Sequence, residues 1–337
     1  MTEQEYQELN DYLQNEFAYL QQTDDFFLNN MEIIRYLSNR YHDLVSSYDY
    51  VPVTSEQHVD EEIIYEYARK VVESISTDYL KIFDTLKKKQ QLNFLEDNIL
   101  GSHTKIIKDE NGIQKIINIS LSYSYYDVKK VIHEFIHYTN NQGDNPIVHN
   151  LGEFLSVYFE LYTEKYLENE GISLSELQSS DRLEATYEYC EELLNIIDVL
   201  YIYQQMGTID IKQIDDINNV IYISKEELEI KCKNLLEYFR KRNYNILKQL
   251  YGNKYSLICQ YLFGTLLGVY AINNCKLEDI VYLNDHINDN NYNNEDNSVA
   301  IITLLQQIGI DLTDDEVIDE IFNCIEEYIK KINSKQR

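Results

Sequence analysis

Two hydrophobic periods share this chain of 337 residues. Most of it follows the three-to-four spacing of a helix with one buried face. The stretches Glu61–Gln91, Arg182–Gln205, Lys225–Tyr251 and Asp314–Ile332 all carry that spacing and predict helices. With only 2 Pro and 10 Gly in the chain, little interrupts them. Ahead of residue 125 the period changes to two. Ile117, Ile119, Leu121 and Tyr123 alternate with Asn118, Ser120, Ser122 and Ser124, which predicts a half-buried strand. Two β-prone runs, His103–Ile107 and Ile113–Ser124, flank Asp109-Glu110-Asn111-Gly112, which reads as a hairpin turn. The expected fold class is therefore mainly α (α+β) with one small antiparallel sheet. Leu92–Gly101 reads as a link between an N-terminal helical segment (1–100) and a second domain (101–337), unless the two form one continuous unit. Asn284–Asn297 is rich in Asn and Asp and reads as a loop.

Directly after the strand, the spacing turns helical from Asp127, a plausible N-cap. Val128, Val131, Ile132, Phe135 and Ile136 form its apolar stripe, while His133, His137 and Asn140 fall on another side. Residues 133–137 read His-Glu-Phe-Ile-His. Positions i and i+4 share a helix face, so both imidazoles can bind one metal ion, with the Glu134 carboxylate beside its open position. With 7 His in the chain, chance would produce such a string about once in seventy chains of this kind. A helix with a packed apolar face and a strand leading into it make this occurrence more specific. The strand edge is also suited to pairing with an extended peptide.

A catalytic zinc site needs three protein ligands and a free position for water. The next predicted helix, Asn150–Asn169, carries Glu153 and Glu160, seven residues apart and hence on one face, with His149 just before it. Asn150 and Glu153 also fit a capping box, and Glu160 also fits a solvated face. Spacing alone leaves the third ligand open between Glu153 and Glu160.

His133–His137 followed by Glu153-Phe154-Leu155-Ser156-Val157-Tyr158-Phe159-Glu160 resembles the oligoendopeptidase F and thimet-oligopeptidase family of zinc peptidases. That family has an H-E-F-x-H helix and then a helix with E-x-P-S-Q and a second Glu seven residues after the first. Phe135, Glu153, Ser156 and Glu160 match. Leu155 stands for the family's Pro, Val157 for its Gln and Ile136 for its usual Gly. Gln260-Tyr261-Leu262-Phe263-Gly264 resembles the family's Y-x-x-G segment, with Tyr255 six residues before Tyr261, although no His lies between His149 and His286 where the family has one. The resemblance implies a zincin-like helical metallopeptidase. It implies one Zn2+ per chain on His133, His137 and Glu153, Glu160 supporting a ligand imidazole, and Tyr261 and Tyr255 as donors to an oxyanion. Short peptides are the implied substrates.

The formal net charge of −29 argues against nonspecific nucleic-acid binding, which relies on Lys and Arg neutralising phosphates. The 5 Cys are scattered with no C-x-x-C pair, as expected of reduced thiols in a cytoplasmic protein. The N-terminus is polar and acidic, unlike a signal peptide. The longest apolar run, Tyr261–Ile272, is too short to cross a bilayer, so no membrane partner is expected. The leading expectation is a zinc metallopeptidase with Glu134 as general base. A zinc-holding peptide binder without turnover, and a zinc protease devoted to one protein, are the alternatives.

Overall fold

The computed structural model describes residues 1–23, 25–48, 58–96, 101–109, 112–140, 146–177, 180–210, 223–241, 254–287 and 297–335. In chain order these hold α1 (Glu3–Thr23), α2 (Asp25–Asn29), α3 (Met31–Ser46), α4 (Glu61–Ile75), α5 (Thr77–Lys88), β1 (Leu92–Leu95), β2 (His103–Asp109), β3 (Gly112–Ser120), α6 (Tyr126–Asn140), α7 (Pro146–Asn169), α8 (Asp181–Met206), α9 (Lys225–Lys241), α10 (Lys254–Asn274), α11 (Leu277–His286), α12 (Asn297–Gln307) and α13 (Asp315–Lys335). The described residues are mainly helical, with one small sheet.

The helices follow the predicted spacing, with an instructive break. Glu61–Gln91 reads as one run, yet Ser76 adopts an extended backbone (φ −161°, ψ 136°) that ends α4 and starts α5. Its hydroxyl accepts the Asp78 N–H at 3.2 Å, a side-chain cap that fills one of the unpaired donors of the new helix. The Asn-rich stretch from Asn284 starts inside α11 rather than in a loop. Asn284 is buried there and donates to the Tyr79 hydroxyl at 2.6 Å. Residues 288–296 of that stretch, the C-terminal end of Lys225–Tyr251 and the hairpin turn at 110–111 lie outside the described residues.

The chain divides into two compact units, each assembled from stretches distant in sequence. One comprises Met1–Ser47, Ala185–Leu262 and Asp296–Ser298. Its core holds Leu9, Leu13, Phe27, Ile34, Tyr41, Ile197, Leu235 and Phe239. Burying each such side chain favours folding by roughly 1.5–3 kcal/mol. Asp198 is nearly enclosed there, and its charge is met by Arg35 at 2.5 Å and by Lys231.

The other unit comprises Tyr48–Glu184, Phe263–Glu295 and Val299–Arg337. Its sheet has the order β1-β3-β2. The expected hairpin is present: β2 runs antiparallel to β3, from His103 opposite Asn118 to Asp109 opposite Gly112. The sheet as a whole is mixed rather than antiparallel, because the segment expected to be a link supplies β1, parallel to β3 with Leu92 opposite Ile117. Four residues are too few for an alternation to declare itself. The fully buried Ile117 and Ile119 of β3 and the stripe Val128, Val131, Ile132, Phe135 and Ile136 of α6 join one core. Phe135 meets Phe83 and Tyr79 of α5 edge-on, at ring separations of 5.3 and 5.9 Å. All five cysteines are free thiols. No helix among the described residues is long and apolar enough to cross a membrane.

Candidate active site

The chain enters α6 through a polar clamp. α6 begins at Tyr126, so Asp127 sits within its first turn, where the helix dipole favours a carboxylate. Instead of capping forward, the carboxylate reaches back. It accepts the Ser122 N–H at 2.9 Å, the Ser122 hydroxyl at 2.7 Å and the Lys130 ammonium at 2.8 Å. This fixes the direction of α6 as it leaves the sheet.

α7 packs against α6 and runs back along it. Its sequence is apolar on every side, and residues 151–161 are buried on all of them. The helix starts at Pro146, a residue suited to the first helical position because its missing N–H has no partner to lose there. Glu153 is thus two turns inside the helix, which excludes the capping-box reading. The buried carboxylates of α7 meet nitrogen-bearing side chains of α6 in antiparallel order. Glu164 pairs with Lys129 at 3.2 Å, Glu160 with His133 at 2.6 Å and Glu153 with His137 at 3.4 Å.

At the Glu153 end three donor atoms converge. His133 Nε2 and His137 Nε2 are 3.0 Å apart, and Glu153 Oε2 lies 3.6 and 3.4 Å from them. His133, His137 and Glu153 form a group able to hold a metal ion. In a tetrahedral zinc site, ligand bonds of ~2.0–2.1 Å place neighbouring donor atoms about 3.3 Å apart. The observed edges bracket that value, and two imidazoles with one carboxylate are a donor set zinc accepts. Glu160 Oε1 lies 2.6 Å from His133 Nδ1, which leaves Nε2 of the same ring to face the group. The His137 side chain is 25% exposed against 10% for Glu153, so solvent reaches the group from the His137 side.

Electrostatics favour a cation here. Burial works against ionising Glu153, but the His133 charge, the His137 hydrogen bond and Arg182 outweigh it and hold the carboxyl far below the usual range. Glu160 is likewise drawn down against its burial, chiefly by Arg182 and His133. Burial would lower the His133 pKa, yet Glu153 and Glu160 raise it to about 9. Two ionised carboxylates thus pull positive charge onto the imidazole nitrogens, where a metal ion would supply it.

Glu134 has a partner of its own on the sheet. Its side chain is buried, and the Thr104 hydroxyl of β2 lies 2.9 Å from its Oε2 and 2.8 Å from its main-chain oxygen. β2 is outermost in the sheet of the described residues, so Thr104 brings an edge strand beside Glu134.

Arg182 escaped the sequence reading. It lies in the first turn of α8, and its Nη1 donates to Glu153 Oε1 at 2.8 Å while its Nη2 donates to Glu160 Oε1 at 2.5 Å. Nothing in the local pattern marks it, since Asp181-Arg182 reads as an ordinary charged helix start. Gly264 of α10 lies against Glu153, and a Cβ added to it would come within 2.9 Å of Glu153 Cγ. Tyr261 belongs to the other unit and stacks on Tyr189 at 4.6 Å. Tyr255 lies in α10, but its side chain, like that of His149, is outside the described ones.

No family model matches the chain, and no curated protein is significantly similar to it. Solved structures similar to it include one from Chlamydophila abortus provisionally named a peptidase, with 16% identity and a TM-score of 0.45, covering 92% of this chain and 55% of that one. A second is from Bacillus anthracis str. Ames and provisionally named an oligoendopeptidase F, with 13% identity and a TM-score of 0.48, covering 95% and 56%. A third, also provisionally named oligoendopeptidase F, has 14% identity and a TM-score of 0.49, covering 90% and 58%. The chain therefore spans between 55% and 58% of the length of these structures.

Proposed function

We propose that this protein is a zinc-dependent peptidase that hydrolyses peptide bonds in short peptides, with Glu134 as general base. The observation that carries this reading is the convergence of His133 Nε2, His137 Nε2 and Glu153 Oε2 at tetrahedral edge lengths, next to a Glu on the same helix turn.

His133, His137 and Glu153 would hold the metal. When bound, zinc acidifies a water molecule and polarises the scissile carbonyl. Glu134 accepts the proton of the attacking water and delivers it to the leaving amine. Thr104, hydrogen-bonded to the Glu134 carboxylate, limits its rotation. The Glu160 carboxylate, 2.6 Å from His133 Nδ1, favours a proton on that nitrogen and so the tautomer that presents Nε2. The open edge of β2 pairs with an extended peptide and lays the scissile bond across Glu134. Tyr261, and Tyr255 on the same helix, are the proposed donors to the oxyanion. Tyr261→Phe should then lower kcat while leaving zinc content intact.

The test is Glu134→Gln. Zinc stoichiometry by elemental analysis should match the parent, while cleavage of a mixed peptide library falls by at least about 100-fold. A variant that still cleaves at the parental rate rejects Glu134 as the base. A parent that holds zinc and binds peptides without cleaving them rejects the peptidase and favours a binding protein.

A further inference from the structure

Arg182 touches both carboxylates of the candidate centre. Its side chain is 16% exposed, and each half of its fork ends on a different glutamate. The consequence for Glu153 is geometric. A carboxylate can ligate zinc through one oxygen or through both. Here Oε1 accepts from Arg182 Nη1 at 2.8 Å and Oε2 is the oxygen nearest the imidazoles. The second half of the fork ends on Glu160 Oε1, the atom 2.6 Å from His133 Nδ1. One rigid guanidinium thus couples the orientation of the carboxylate ligand to that of an imidazole ligand. Lysine, a point charge on a flexible stem, cannot span two acceptors in fixed directions in this way.

We propose that Arg182 is a positioning residue that restricts Glu153 to one-oxygen ligation and so keeps the fourth position of the metal open for water. This rests on the metal site described under the proposed function. With Oε1 released, Glu153 can turn and offer both oxygens, which raises the coordination number and crowds the water position. A site of three protein ligands and one open place is what a catalytic zinc requires.

Cobalt(II) substitution reads this directly, because the visible d–d bands of four-coordinate cobalt are stronger than those of five- or six-coordinate cobalt. The full-length parent loaded with Co2+ should give the strong bands. Arg182→Met and Arg182→Lys should both give weaker bands, and their zinc affinity by chelator competition should fall by about 10–100-fold. The Lys variant keeps the positive charge between the carboxylates. It therefore decides the matter even where loss of charge in the Met variant prevents folding. A folded Lys variant with parental bands and parental affinity would overturn the role of the fork and leave only a need for charge. A folded parent that takes up no cobalt or zinc would instead overturn the metal site itself.

Discussion

Replacing Gly264 by Ala probes the site through packing alone, without removing a polar atom. The added Cβ would lie 2.9 Å from Glu153 Cγ, 3.3 Å from its main-chain carbon and 3.4 Å from its main-chain oxygen. Carbon atoms pack best at roughly 3.5–4.0 Å, so α10 and Glu153 must separate by about 0.6–1 Å. Overpacking of this kind costs ~1–3 kcal/mol, and removing a glycine from a helix returns ~0.5–1 kcal/mol. The net loss of stability is on the order of 1 kcal/mol. The effect on metal should be larger, since ligand positions are tolerated only within about 0.2 Å. A zinc affinity lowered by about 10–100-fold follows, the range for disturbed ligand support. Gly268 supplies the control. One turn further along α10, its added Cβ would meet Val157 Cγ1 at 2.8 Å and the Tyr158 nitrogen at 3.3 Å, an equal clash against a residue with no metal role. Zinc affinity by competition with a fluorescent chelator, and thermal unfolding of the apo forms, should be measured for both variants. Similar stability losses with weakened zinc only in Gly264→Ala support the reasoning. Equal zinc affinity in the two variants, or parental affinity in Gly264→Ala, refutes it.

Further substitutions test the helix pair. Glu153→Ala should abolish stoichiometric zinc, whereas Glu160→Ala should retain it at about 10–100-fold weaker affinity; the reverse order by elemental analysis and titration would exchange the two roles. Lys129→Met leaves Glu164 charged and enclosed, which should cost ~3–5 kcal/mol in denaturant unfolding. Much of that loss should return in Lys129→Met/Glu164→Leu, and a fully destabilised double variant would refute the charge-pair explanation.

How far the sequence disclosed this site follows from which contacts are local. His133, Glu134 and His137 were legible because one helix turn brings them together, and period 3.6 is a property of the chain itself. The α6 stripe and the β2–β3 hairpin were legible for the same reason. β1 was not, because a four-residue strand gains its identity from its parallel partner, twenty-five positions away at Leu92 opposite Ile117. Arg182 was not, because its two acceptors lie 22 and 29 residues earlier and no period links them. Gly264 stood in a motif noticed for its tyrosine, while its contact with Glu153 exists only once α10 lies on α7.

The order of charges along α6 and α7 contains one more step that could be read forward. Lys129, His133 and His137 are four residues apart, so they form a single line along α6. Glu164, Glu160 and Glu153 follow the opposite direction on α7 and meet them one by one. Two helices laid antiparallel across a short connection give just such a ladder. Along it the function of a carboxylate changes with its partner. Against Lys129, with the Tyr328 hydroxyl also donating to it, Glu164 is a neutralised pair whose desolvation is offset by charge and hydrogen bonds. A slip of one helix turn would set Lys129 against Glu160 and strip His133 of its partner. The Lys129–Glu164 rung therefore fixes the register in which Glu153 falls between two imidazole Nε2 atoms. A buried ion pair of little net worth to stability can in this way determine where three donor atoms converge.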